Sequence, residues 1–113
     1  MRTFGIEIEM VGKTHSMIAK AVHSVVGGKV ERVIDKEDDS LTHEDIHASD
    51  GRVWRVEDDD SLHAPKHLRA ELVSPKLAET DLGTLKKVVA AIAAGGAHTN
   101  PYCGVHVHIG AKD

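Results

Sequence analysis

Apolar and polar residues alternate at both ends of this chain. In residues 4–10, FGIEIEM, Phe4, Ile6, Ile8 and Met10 are apolar, with Gly5, Glu7 and Glu9 between them. Successive strand side chains point to opposite faces, so the pattern predicts a strand over 3–11 with one core face and one polar face. Residues 103–109, CGVHVHI, repeat the pattern with histidines, Val105, Val107 and Ile109 alternating with His106 and His108. Between them the period changes. Met17, Ile18, Ala21, Val22 and Val25 have helical spacing, Thr14 or Ser16 can cap their helix, and Gly27-Gly28 ends it near Val26. A second helix is predicted from Asp81, its cap, to Ala94. Its buried stripe is Leu82, Leu85, Val88, Val89 and Ile92, and Gly95-Gly96 stops it. Short strands are predicted over 29–34, 52–58 and 69–74, the last closed by Pro75. Residues 35–51, DKEDDSLTHEDIHASDG, have no useful period and read as a loop, and 97–102 read as a turn with Pro101. DDSL occurs twice, at 38–41 and 59–62, but the flanks differ and there is no repeat.

The order β-α-β-β-β-α-β predicts an α+β fold: a mostly antiparallel sheet with two helices on one face and the other face open. The 113 residues fit a single domain over 1–113. A hydrophobic fraction of 41% allows a modest core, and 3% aromatics makes it mainly aliphatic. The net charge is −4 without a basic run, so no nucleic-acid partner is expected. No apolar run nears the roughly 20 residues that span a membrane. The chain enters a strand at once, so no signal peptide is expected, and the lone Cys103 suits a reducing, cytoplasmic setting.

Two pairs of residues carry the candidate chemistry. Glu7 and Glu9 share one strand face, roughly 7 Å apart. They repel each other and are costly to desolvate alone. Such a pair is either a wet outer face or a cation site. His106 and His108 present the same choice, and an His-x-His pair on a strand can aim two nitrogens at one metal. If both strands share the sheet and bury their apolar sides against the same helices, all four polar side chains converge. Glu71, in RAELVSP, has either an arginine partner (Arg69 or Arg55) or a metal. Asp58, Asp59 and Asp60 form an acidic turn that by itself reads as a solvated loop. Cys103 falls on the side of Val105 and Val107, opposite the histidines, so it is expected to pack rather than react.

FGIEIEM, Trp54 followed by DDSL at 59–62, AELVSP at 70–75, a helix ending in Gly95-Gly96 and CGVHVHIG at 103–110 stand in the order found in the amidoligase family, which the chain resembles over nearly its whole length. The resemblance implies kinship with glutamine synthetase and γ-glutamylcysteine synthetase, and hence a partial glutamine-synthetase-like catalytic fold. It implies an ATP-dependent carboxylate–amine ligase that forms an amide through an acyl phosphate, with Mg2+ or Mn2+ and ATP as cofactors. Glu7 and Glu9 match the paired metal-holding glutamates. Glu71 matches a further metal or substrate ligand with a catalytic role. His106 matches the first histidine of G-x-H-x-H, associated with metal and nucleotide, and His108 the second. Asp60, with a catalytic role, and Ser61 match a turn near substrate and cofactor; Asp59 stands there where glycine is common.

The substrates implied are a small-molecule or peptide carboxylate and an amine. No P-loop is present, since GGKV at 27–30 lacks the required spacing. Family members continue beyond the point where this chain ends. The resemblance therefore implies either a truncated N-terminal portion or a natural minimal relative, in both cases holding half a site and expected to have little or no ligase activity alone. Its last strand is expected to pair with a second copy in a homodimer, or to be completed by a missing C-terminal part. The other readings are a non-catalytic metal-binding or assembly module of the same fold, and a metal-dependent hydrolase sharing only the Glu/His geometry.

Overall fold

Six strands form one antiparallel sheet in the order β2-β3-β4-β5-β1-β6. They are β1 (Phe4–Val11), β2 (Lys29–Ile34), β3 (Leu41–His47), β4 (Val53–Glu57), β5 (Arg69–Val73) and β6 (Val105–Ile109). The helices are α1 (His15–Val26) and α2 (Leu82–Ala94). This is a computed structural model, which describes residues 2–37, 41–58, 64–65, 68–101 and 103–110. Strands β2 to β5 run as a meander, and β1 then pairs with β5 on one side and β6 on the other.

The alternation of β1 places Met10 in the core with Ile8 packed against it. Trp54 and Val56 of β4, Ala70 and Leu72 of β5 and Ile46 of β3 complete the sheet side. Opposite them stand Ile18, Ala19 and Val22 of α1 and Val88 and Ile92 of α2. Apart from Trp54 and the half-buried Phe4 this core is aliphatic. Helix α1 lies on the β2–β4 half of the sheet, and α2 packs beside α1. Thr14 caps α1, its hydroxyl accepting from the Met17 N–H at 3.2 Å. Gly27 ends it at φ 71°, a left-handed conformation that costs glycine least. The helices thus cover one face and leave the other open, as the order of elements predicts.

Four expectations change. Residues 41–47, read as part of a loop, form β3 in the middle of the meander. Its core face carries an acid, Glu44, only 2% exposed, and this hides the alternation. Ser16 of α1 donates to that carboxylate at 2.7 Å and Arg32 of β2 approaches it at 3.7 Å, so a buried charge is tolerated. The sheet therefore has six strands rather than five. Asp81 sits before α2 but makes no cap bond to it. Its carboxylate instead accepts from the Ala78 N–H and from Arg52. The stripe of α2 is narrower than its sequence suggests, since Leu82 and Val89 are exposed. The last strand begins at Val105, and its apolar side chains are uncovered: Val105 is 61%, Val107 54% and Ile109 63% exposed. α2 reaches β1, where Val89, Ile92, Ile8 and Met10 line a common cleft, and β6 lies beyond it at the sheet edge.

Candidate functional site

Strand register decides which polar side chains meet on the open face. One row of opposed residues runs Glu31, Asp45, Arg55, Val73, Glu7, His106 across all six strands. The next row runs Val33, His43, Glu57, Glu71, Glu9 from β2 to β1. Directly opposed residues share a face with Cβ atoms about 4.5–5.5 Å apart. Glu57, Glu71 and Glu9 are thus three neighbouring carboxylates on three adjacent strands, with Glu7 one row away. Glu9 and Glu71 are buried, at 7% and 9% exposure.

The histidines close this group on the β6 side. His106 stands opposite Glu7, and His108 opposite Gly5. The His108 Nε2 donates to Glu7 Oε1. That hydrogen bond is the main reason the Glu7 carboxyl titrates below its ordinary range; burial opposes it, and Glu71 and the two imidazoles add smaller pulls downward. Gly104 shapes the space between Glu9 and His106. A Cβ there would lie 3.2 Å from Glu9 Oε1 and 3.5 Å from His106 Nε2. Glycine therefore keeps open a gap lined by a carboxylate and an imidazole.

The two arginines weighed as partners for Glu71 each hold an aspartate. Arg69 forms a two-point pair with Asp58, at 2.7 and 3.0 Å. Arg55 pairs with the buried Asp45, its Nε donating at 2.8 Å. Asp58 is therefore a structural anchor for β5 rather than part of a free acidic turn. Asp60 and Ser61 lie outside the described residues. Cys103 precedes β6, is half-buried, and its sulfur accepts from the Asn100 N–H at 3.4 Å.

Three residues on this face escaped the sequence reading. Glu57 lies beside Glu71, and Asp45 and His43 come from β3. The alternation of 53–57 already turns Glu57 away from Trp54 and Val56, but only register puts it next to Glu71. Asp45 and His43 were hidden with their strand.

The donor set of Glu7, Glu9, Glu71 and His106, oxygens with one imidazole nitrogen, suits a hard divalent cation with tolerance for manganese. At Gly104, Glu9 Oε1 and His106 Nε2 border a common gap between strands β1 and β6. Glu7 and Glu71 lie within side-chain hydrogen-bonding reach of each other on this face. Among the described residues, ligand atoms of three such groups come within 4.8 Å of one another only at Glu31, Asp45 and His47, near the far edge.

A two-helix α+β protein with buried carboxylates and paired imidazoles on an open antiparallel sheet is the class that fold and site define. The chain belongs to the amidoligase family: the family model described as "Putative amidoligase enzyme" matches residues 1–113. No curated protein and no solved structure matches the chain significantly.

Proposed function

We propose that this chain carries the metal-holding face of an ATP-dependent carboxylate–amine ligase. The observation that carries the reading is the row Glu57, Glu71, Glu9, with Glu7 beside it and His106 opposite Glu7. Like charges set directly opposite one another destabilise a sheet. Such a row suits a site for positive charge, and the family supplies the chemistry that needs one.

In that chemistry the substrate carboxylate attacks the γ-phosphorus of ATP and ADP leaves, giving an acyl phosphate. An amine that has lost its proton then attacks the carbonyl carbon; phosphate leaves and the amide remains. Mg2+ or Mn2+, when bound, neutralises the phosphate oxygens during both transfers. Glu7, Glu9 and His106 would hold the ion. Glu71, adjacent to them, is positioned to ligate or to take the proton of the incoming ammonium. His108 fixes the Glu7 carboxylate by its hydrogen bond and is proposed, with His106, to face the nucleotide. Asp60 and Ser61 are proposed to position substrate through the family's turn.

No helix among the described residues is long and apolar enough to cross a membrane. A cytoplasmic setting is proposed because it keeps the single Cys103 reduced and supplies ATP. The uncovered apolar side of β6 is proposed to be covered by a second copy of the chain.

The test has two arms. The chain is titrated with Mn2+ in the presence and absence of ATP, and ADP release is followed with carboxylates and amines supplied singly and together. The reading expects ATP to tighten Mn2+ binding, and any ADP release to require both substrates. ADP release that ignores the amine, or amide hydrolysis without nucleotide, overturns it. Mn2+ binding indifferent to ATP supports instead the non-catalytic metal-binding module.

A further inference from the structure

The open face also holds a cavity that borders the ligand set above and shares Glu7 with it. It measures about 370 Å³ and is lined by Glu7, Val53, Arg55, Glu57, Val73 and Ser74. That volume lies at the small end of small-molecule sites, about 300–1,000 Å³. Its floor is apolar, from Val53 and Val73, and its charged groups are of both signs.

Arg55 supplies the positive charge. Its Nε and one terminal nitrogen are held by Asp45, at 2.8 and 3.5 Å, which fixes the guanidinium plane. The other terminal nitrogen makes no protein hydrogen bond among the described residues. The Arg55 side chain is 44% exposed, so this free edge is open to an anion. Asp45 and Glu57 together push its pKa above even the ordinary arginine value, so the charge is permanent. Glu57 supplies the negative charge. It stands two residues along the same strand face, half-buried, and accepts no hydrogen bond from the described residues. Glu57 is also the residue opposed to Glu71, whereas Arg55 is opposed to Val73. The negative pole thus belongs to the carboxylate row, and the positive pole lies one row away from it.

We infer that this cavity binds the amine substrate as a free α-amino acid, its ammonium on Glu57 and its carboxylate on the free edge of Arg55. An α-amino acid carries both charges on one carbon, which matches a fixed cation and an acceptor carboxylate two residues apart on a strand. A simple amine leaves Arg55 without its anion, and a peptide N-terminus lacks the adjacent carboxylate. The polarity also serves the reaction: the ammonium end lies next to Glu71, the proposed proton acceptor, and the carboxylate end points away from it. This inference rests on the ligase reading for its reaction, but not for its binding.

Binding is therefore measured without nucleotide or metal, with a chelator present. Amide resonances of Val53, Val73 and their neighbours are followed by NMR during titration with L-alanine, L-leucine, L-glutamate and L-lysine. Ethylamine and propionate are the analogues that lack one charge. At least one amino acid is expected to shift the cavity resonances and to bind at least tenfold more tightly than ethylamine or propionate. Glu57→Gln and Arg55→Gln should each weaken it at least tenfold. The analogues carry the test should Arg55→Gln unsettle the buried Asp45. Equal binding of ethylamine, or no cavity shift with any of the four amino acids, overturns the assignment. Should ADP release ignore the amine, or amides be hydrolysed without nucleotide, while amino acids bind as described, the ligase reading falls and the cavity assignment stands. Should ligation proceed equally with ethylamine, the reverse holds.

Discussion

Glu9 of β1 and Glu71 of β5 stand directly opposite each other, both buried and both on the open face of the sheet. A cross-strand pair of like charges costs about 0.2–1 kcal/mol, and burial raises the cost further. The proposed metal site gives this pair a role. Mn2+ should bind the wild-type chain, and Glu9→Gln should weaken it at least tenfold, about 1.4 kcal/mol, by calorimetry. Metal-free stability of the variant should change by less than about 1 kcal/mol, because one repulsion is relieved. Unchanged Mn2+ affinity would remove Glu9 from the site.

The Glu7–His108 contact makes stability depend on acid. The Glu7 carboxyl is held below its reference value of 4.5 in the folded chain. A depressed carboxyl adds stability that is fully present above the unfolded value and is lost as pH falls through the folded one. The wild type should therefore lose more stability than Glu7→Gln as pH is lowered from about 5 towards 3. Urea unfolding across that range measures the difference, and parallel profiles would contradict the pairing.

Arg52 ties the β3–β4 turn to the start of α2. It donates to Asp50, to both Asp81 oxygens and to the Lys76 carbonyl, all at 2.8–3.0 Å. Its own pKa is pushed up, first by Asp81, and both acids are pulled down by the guanidinium. Arg52→Ala should cost about 1–2 kcal/mol, less than a buried network because the site is partly screened by water. Arg52→Lys should recover little, since an ammonium cannot span two carboxylates and a carbonyl with fork geometry. Full recovery in chemical denaturation would show that only the charge matters.

Ser16 and Glu44 form a polar contact inside the helix–sheet interface. Ser16→Ala leaves a buried carboxylate short of a donor and should cost about 1–3 kcal/mol. Ser16→Ala combined with Glu44→Leu should be more stable than Ser16→Ala alone, because replacing both partners by apolar groups removes the desolvation penalty. A double variant less stable than the single one would mean that Arg32 or strand pairing needs the acid.

The uncovered Val105, Val107 and Ile109 lie on an edge strand, an arrangement that invites pairing with another chain. Sedimentation at micromolar concentration should show a species heavier than one chain. Val107→Lys should return it to the monomer, since a charge on an edge strand blocks pairing. A wild-type monomer would refute the association.

The sequence by itself determined what depends on local backbone geometry. The alternation of β1 and β6 follows from the two-residue period of a strand, so Glu7 with Glu9, and His106 with His108, share faces wherever those strands go. The spacing of Ile18, Val22, Val88 and Ile92 follows likewise from the helical period, and Thr14 and Gly27 mark the ends of α1 by backbone chemistry. Only the tertiary structure decided what depends on register and neighbours. Strand β3 was illegible because the acid on its core face is satisfied by Ser16, far away in the chain, and by Arg32 on the adjoining strand. Glu57 became part of the site because β4 pairs with β5 in the register that sets it against Glu71. Arg55 became the fixed pole of a cavity only when β3 delivered Asp45 beside it. Val105, Val107 and Ile109 have the pattern of a buried face, yet stay exposed because α2 packs beside α1 and reaches no farther than β1. A residue's face is set by its own strand; what meets it there is set by hydrogen-bond register between strands distant in sequence, and no local pattern encodes that.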